Sequence, residues 1–349
     1  MTGSETLARI LQFDLLRAVL QPVFRIADGA VFGYEGLVRG PEGSPLQTPA
    51  ELFGEADRLG LRVELELAAA RTVCRHFAQA KLPGFLMVNM SCRAIDRVAQ
   101  DADRAVDMMT SVGLAPATVI LELTEHDRVV DSVTLARSLR TLREQGVALA
   151  LDDFGSGHSN LQLWMELRPR LVKLDRVFVN GLASNGDKFE IARMLKRLAE
   201  SFGTELVAEG IENESDLAVA RDMGIELAQG FMLGLPARVP VQKLEPRAAA
   251  VLLSPKLAVL PEATRPPQQF RLAGELAVPV PPVPVTSSNE SLAELFLKHP
   301  EYHGVAVVDG KRPVGLVNRR NFMDRMAAPF YKEVYGRKPL SAMIDMPAP

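Results

Sequence analysis

Six apolar runs in the first two thirds of this chain each stop on a polar residue suited to metal or acid–base chemistry. Glu35 follows Val31–Tyr34, Asn89 follows Phe85–Val88, and Glu122 closes Val119-Ile120-Leu121. Asp152 and Asp153 follow Val147–Leu151, Lys173 follows Leu171-Val172, and Glu209 follows Leu206-Val207-Ala208. Gathered in one place, five carboxylates, an amide and a lysine make a poor core, because unpaired buried ions repel and cost several kcal/mol each. A hard divalent cation such as Mg²⁺ or Mn²⁺ resolves the conflict, since it takes oxygen ligands from Asp, Glu and Asn. The adjacent Asp152 and Asp153 suit two ions about 3.5–4 Å apart, the arrangement that clamps a phosphoester and lowers the pKa of a bound water. Lys173 would offset the negative charge and hold or activate that water. The glycine-rich stretch from Asp153 to Ser159 suits a loop that closes over a substrate. Taken one at a time, each acid reads as readily as a helix cap or a solvated carboxylate, and Lys173 as the Schiff-base amine of an aldolase-type barrel. Seven such residues at six run ends are much harder to assign to caps.

These residues need a scaffold that brings strand ends together. The apolar runs predict strands near Val19–Ile26, Val31–Leu37, Phe85–Met90, Thr118–Leu123, Val147–Leu151, Leu171–Leu174, Glu205–Ala208 and Ile225–Ala228, separated by helical patterns. Eight strands of this kind fit an α/β fold of the (β/α)8 TIM-barrel type, in which the C-terminal strand ends converge on one mouth. Ala27-Asp28-Gly29-Ala30 reads as a tight hairpin, which makes one strand antiparallel. The pattern Val63–Gln79 predicts a helix with Val63, Leu67, Ala70 and Cys74 on its inner face.

The chain has 349 residues and a formal net charge of −3, with 47% hydrophobic residues. That composition is globular, and the balanced charge argues against a nucleic-acid polymer as partner. No apolar run approaches the roughly 20 residues of a membrane span, and residues 1–12 lack a signal-peptide pattern. Two cysteines argue against a disulfide framework and, with five scattered histidines, cannot build a structural zinc site, which suggests a cytoplasmic protein. Eight prolines between 255 and 284 predict an extended linker. The expected division is a barrel over 1–245, a Pro-rich linker over 246–286 and a small α+β segment over 287–349.

Together these stretches resemble the EAL-domain family of cyclic-di-GMP phosphodiesterases. The resemblance rests on Gln21-Pro22-Val23-Phe24, Tyr34-Glu35-Gly36-Leu37-Val38-Arg39, Val88-Asn89-Met90-Ser91 and Glu122-Leu123-Thr124-Glu125. It continues through Asp152-Asp153-Phe154-Gly155-Ser156-Gly157, Lys173-Leu174-Asp175, Ala208-Glu209-Gly210-Ile211-Glu212 and Gln229-Gly230-Phe231. It implies a modified barrel with one antiparallel strand. It also implies hydrolysis of one phosphodiester bond of cyclic-di-GMP to linear pGpG, the alternative being a non-catalytic receptor for the dinucleotide. The implied metal ligands are Glu35, Asn89, Glu122, Asp152 and Asp153 for two Mg²⁺ or Mn²⁺ ions, with Glu209 acting at the metals directly or through water. Ca²⁺, larger and looser in coordination, should inhibit. Lys173 would contact the attacking water and Asp175 help to place it, while Glu125 would brace the loop and Glu212 lie nearby. Arg39 would bind a phosphate, and Gln21 and Gln229 would line the substrate side. Gly36 stands where the family signature has alanine and Gly40 where an aromatic residue is common, and both changes should loosen the loop carrying Glu35 and Arg39. His158 replaces the usual tyrosine, and Gly234-Leu235 the usual polar-basic pair.

Two assembly expectations follow. Trp164 and Met165, on a predicted helix over Leu161–Leu167, look exposed enough to form a homodimer contact through the barrel. Residues 280–349 distantly resemble a CBS module and the start of a second; in relatives with this order, a GGDEF-type domain often follows.

Overall fold

The computed structural model describes residues 3–123, 132–155, 161–261, 279–328 and 330–342. Eight strands close into a barrel in sequence order: β1 (Arg17–Arg25), β2 (Val31–Arg39), β3 (Phe85–Met90), β4 (Val119–Leu123), β5 (Ala148–Phe154), β6 (Leu171–Leu174), β7 (Glu205–Ala208) and β8 (Leu227–Ala228). Strand β1 runs antiparallel to both neighbours, β2 and β8, while the pairs from β2 to β8 are parallel. The hairpin causes this inversion. Gly29 takes φ 68°, the left-handed conformation that such a turn needs, and the Asp28 carboxylate accepts from the Ala30 amide at 3.0 Å.

Alternation along the strands sorts the core into two shells. Val23, Met87, Ile120, Ala150, Leu171, Val207 and Leu227 point inward and form the apolar floor of the barrel. The register of β1 against β2 shifts between Val23 and Phe24, and Phe32 at this bulge joins the floor, stacked on Phe85. Outward residues such as Val88, Met90, Val119 and Leu121 pack under the helices. In chain order the helices of this region among the described residues are α1 (Gly3–Gln12), α2 (Pro49–Leu59), α3 (Arg62–Ala80), α4 (Cys92–Ala99), α5 (Ala102–Ser111), α6 (Ser132–Glu144), α7 (Leu161–Leu167), α8 (Arg176–Val179), α9 (Gly186–Phe202), α10 (Glu214–Met223) and α11 (Pro246–Leu253).

The helix α3 (Arg62–Ala80) forms as its periodicity requires, but its inner face is turned from the expected one. Leu65, Ala69, Val73 and Phe77 are buried with Cys74, whereas Val63, Leu67 and Ala70 are only partly covered. Two apolar stripes on this helix competed, and the one facing β1, β2 and β3 won. The helix α7 (Leu161–Leu167) corrects a second expectation. Trp164 is fully buried, edge-on to Phe154 and Phe202, and its indole N–H donates to Thr204 Oγ1 at 3.2 Å. Burying a Trp with its N–H satisfied closes the barrel's own helical layer, so Trp164 is not available to a second subunit.

The expected linker over 246–286 begins as structure. Residues Pro246–Leu253 form helix α11, with proline at a helix start where its missing N–H costs nothing, and pack on α10 (Glu214–Met223). Beyond it, β9 (Val283–Pro284), β10 (Gly304–Asp309) and β11 (Arg312–Asn318) make a small sheet in the order β11-β10-β9. With helices Asn289–Lys298 and Arg319–Met326 it surrounds a separate apolar cluster that includes Phe296, Val307 and Phe322. The buried Asp222 of α10 ties this unit to the barrel. Its carboxylate pairs with Arg325 at 2.5 Å and accepts from the Ala258 amide at 2.6 Å.

Candidate active site

The mouth of the barrel is where the chemistry converges. Inward positions two residues beyond the floor carry Asn89, Glu122, Asp152 and Lys173, and Glu209 follows β7 directly. Glu35 and Gln21 face each other across β1 and β2 in register, and Gln229 follows β8.

Lys173 is the centre of the cluster and is 1% exposed. Its Nζ lies 2.7 Å from Glu209 Oε1, 2.8 Å from Asp152 Oδ1, 3.1 Å from Glu122 Oε1 and 3.3 Å from Glu35 Oε2. Glu35 is the best satisfied acid. Asn89 donates to its Oε1 at 2.8 Å and Gln229 to its Oε2 at 2.7 Å, while Gln229 also donates to Gln21 at 3.1 Å. Burial works against the Glu35 charge, yet Lys173 and these donors hold its pKa below the usual value. Glu122 is the opposite case. Neither of its oxygens, nor Asp152 Oδ1, has a hydrogen-bond partner among the described residues, the lysine contacts being ion pairs without that alignment. Burial and then the neighbouring carboxylates push the Glu122 pKa well above the ordinary range, against the pull of Lys173. Glu209 is raised likewise, by burial first. The lysine, for which burial alone would favour loss of the proton, is held firmly protonated by the four acids.

Asp153 lies at a strained bend. Its φ is 48°, a left-handed conformation that Asp tolerates better than most side chains, where the β5–β6 register breaks between Leu151 and Phe154. Burial and the neighbouring Asp152 raise its pKa to about 6. Gly155, two residues on, has φ 104°, and a Cβ there would fall 2.1 Å from the Phe178 ring, so only glycine fits. Oxygens of Asp152, Asp153 and Glu209 can lie within 4.8 Å of one another, close enough to share a cation.

Four carboxylates share one ammonium, and two of them are pushed toward protonation. Such a site is short of positive charge, and its unpartnered oxygens are the donors that a hard divalent ion takes. The residue set therefore fits divalent metal.

The other expected residues divide. Arg39, partly buried, donates to the Val38 carbonyl at 2.8 Å and stands outside ion-pair distance of the acids among the described residues. Asp175 caps the turn Arg176–Val179 through the Val177 amide at 2.6 Å rather than meeting Lys173. Glu212 is exposed and accepts from Asn180 at 3.4 Å, apart from the cluster. Glu125 and His158 lie outside the described residues.

Gly36 and Gly40 do not loosen their loop. A Cβ on Gly36 would fall 2.0 Å from Val73 Cγ1 of α3, and one on Gly40 would fall 1.9 Å from the Leu46 carbonyl. The missing side chains are filled by close packing. A buried acid beside the mouth escaped sequence reasoning. Glu66 of α3 accepts from Arg62 at 2.7 Å and from the Ser91 amide and hydroxyl at 3.1 and 2.6 Å, bracing the chain just past Asn89. Its only signal was the four-residue spacing from Arg62.

An oxygen-only donor set around a buried lysine, at the mouth of an eight-stranded barrel, defines a TIM-type barrel with a divalent-cation site. The sequence profile described as the EAL domain matches residues 4–236, and the chain belongs to that family. It is 35% identical over 227 residues to an uncharacterized protein of Azorhizobium caulinodans, covering 61% of this chain and 30% of that one. It is 32% identical over 245 residues to the cyclic di-GMP phosphodiesterase NbdA of Pseudomonas aeruginosa, covering 69% and 31%. Among solved structures, it matches the manganese/cy-diGMP complex of Klebsiella pneumoniae BlrP1 with TM-score 0.61 and 27% identity, over 66% of this chain and 58% of that one. The c-di-GMP complex of the PaMucR phosphodiesterase matches with TM-score 0.58 and 28% identity, over 68% and 98%. The chain spans about a third of the length of the curated relatives it matches. The family match ends before the C-terminal unit. Among the described residues, no helix is long and apolar enough to cross a membrane.

Proposed function

We propose that this chain hydrolyses one phosphodiester bond of cyclic-di-GMP to linear pGpG. The observation that carries the reading is the convergence of Glu35, Glu122, Asp152 and Glu209 on Lys173 Nζ, with Asn89 and Asp153 beside them. A chain that only bound the dinucleotide would not need this concentration of buried, mutually repelling acids.

Glu35, Asn89, Glu122, Asp152 and Asp153 would hold Mg²⁺ or Mn²⁺, two ions per site, with Glu209 adjacent. Bound there, the ions would polarise the scissile phosphodiester and lower the pKa of the attacking water. The protein residues do the rest. Lys173 keeps a permanent positive charge at the reaction centre and can donate to the water through Nζ. Arg39, at the end of β2, would take a phosphate oxygen, and Gln21 and Gln229 would line the substrate side, with Gln229 donating to Glu35 directly and Gln21 accepting from Gln229. Asp175, by capping the turn that follows β6, fixes the exit of the strand carrying Lys173.

We also read a homodimer through the face of α7 that remains exposed, Leu161 and Met165, and a GGDEF-type partner domain as compatible with the family. The dimer is tested by specific activity across a concentration series, which should rise as dimer forms.

Incubation with cyclic-di-GMP and Mn²⁺ or Mg²⁺ should yield pGpG, and excess chelator or Ca²⁺ should stop it. Tight binding without turnover in either metal would identify a receptor instead.

A further inference from the structure

Behind β3 and β4, on the side away from the barrel axis, lies a cavity of about 510 Å³. Its floor is the outer side of the two strands: Val88, Met90, Val119 and Leu121. Leu67 and Cys74 of α3 form one wall, and Ala105 and Met109 of α5 (Ala102–Ser111) form the other. The interior is apolar enough to push the Cys74 thiol up to about 12 by burial alone. A water placed there would lack the two to four polar partners that hold buried water.

The charged residues that line the cavity are all exposed and so mark its mouth: Arg71, Arg97 and Arg104, against the single acid Asp101. None of the three arginines is in an ion pair among the described residues. The mouth thus carries a surplus of unpaired positive charge over an apolar interior. The volume falls within the roughly 300–1,000 Å³ of small-molecule sites. A partner helix, about 10–12 Å across, is too thick for it, whereas one alkyl chain fits.

We propose that this cavity is a binding site for an amphipathic carboxylic acid, its hydrocarbon chain between α3 and α5 and its carboxylate at the arginine mouth. The site is separate from the catalytic cluster but backs onto it. Alternation places Asn89 on the inner face between Val88 and Met90, and Glu122 on the inner face after Leu121. An occupant would therefore rest on the backs of two strands that carry mouth residues. Binding does not depend on the hydrolytic reading, so the two can fail separately.

The test is calorimetric titration of the full chain with dodecanoate below its micelle concentration. One saturable site is expected. Ala105→Phe, which fills the cavity, should weaken binding at least tenfold, and so should the paired reversal Arg71→Glu with Arg104→Glu, both positions being exposed and tolerant of change. Dodecanol should bind at least tenfold more weakly than dodecanoate. Absence of a saturable site in the wild-type chain, unchanged binding in a folded Ala105→Phe variant or in the charge-reversed one, or equal affinity for the alcohol would overturn the proposal.

Discussion

Two layers of side chains fill the barrel, one step of two residues apart on the same strands. Met87 lies beneath Asn89, Ile120 beneath Glu122, Ala150 beneath Asp152, Leu171 beneath Lys173 and Val207 beneath Glu209. The vertical separation is about 7 Å. Burial does not distinguish the layers, for Ile120 and Glu122 are both 0% exposed. What differs is whether burial helps or harms. In the floor it removes apolar surface from water and supplies stability. In the mouth the same desolvation drives Glu122 and Glu209 toward protonation and leaves carboxylate oxygens without partners. The barrel stabilises its floor and tolerates a mouth that opposes folding until cations arrive.

The contrast between floor and mouth disappears if the mouth proves dispensable. Glu122→Gln removes the least satisfied carboxylate while keeping its shape. The rate of pGpG formation should fall about a hundred- to a thousandfold, the scale set by loss of one preorganised charge-stabilising group. The metal-free protein should meanwhile melt higher than wild type, because the desolvation cost that raises the Glu122 pKa is gone. Initial rates and melting curves of the same preparation check both. Near-wild-type turnover would remove Glu122 from the metal site.

The floor should behave in the reverse way. Ile120→Ala, one step below, should cost about 2–5 kcal/mol of stability through lost burial and the cavity left behind. The rate per folded molecule should stay within about twofold. Denaturant melts and rates well below the midpoint separate the two quantities, and a large loss of kcat at full folding would show that the layers are not independent.

A third test uses protons. The Asp153 pKa is raised to about 6 from an ordinary 3.8, burial being the chief cause. A raised carboxyl contributes stability that is present below its unfolded pKa and lost as pH rises through the folded value. Metal-free protein should therefore lose stability between about pH 4 and 6, and Asp153→Asn should lose less across that window. With Mn²⁺ present the trend should reverse, since metal ligands must be deprotonated. Melting temperatures in chelator and in Mn²⁺ across this range decide it.

The two layers also differed in how far the sequence revealed them. Floor and mouth were legible because a strand period of two needs no tertiary information: an apolar run ending on Glu122 or Lys173 already places that residue inward and at the rim. Helices were less legible. The two apolar stripes of α3 are nearly equal in the sequence, and only the barrel's curvature chooses Val73 over Leu67. Trp164 looked exposed because its partners Phe154, Phe202 and Thr204 come from three other segments. The helix Pro246–Leu253 was hidden in a proline-rich region whose first proline is a helix start. Gly36 illustrates the limit best: its lost methyl is compensated by Val73, which is 37 positions away in the chain.

The smallest effect should come from the rim, where side chains belong to neither layer. Arg39 ends β2 and donates to its own neighbour's carbonyl, and among the described residues it meets no carboxylate at ion-pair distance. It contributes little to holding the cluster together, so Arg39→Ala should leave the melting temperature nearly unchanged. Its guanidinium remains able to donate to a phosphate in a charge-assisted, two-pronged contact. Such a contact forms in the bound substrate as well as in the transition state, and its loss should therefore appear mainly in KM. An increase of about tenfold, with kcat within about threefold, is the expected result, equivalent to roughly 1.4 kcal/mol of binding. Steady-state kinetics at saturating Mn²⁺ read it directly. A fall in kcat as deep as that of Glu122→Gln, with KM unchanged, would move Arg39 from the rim into the reacting layer and erase the distinction between holding the substrate and transforming it.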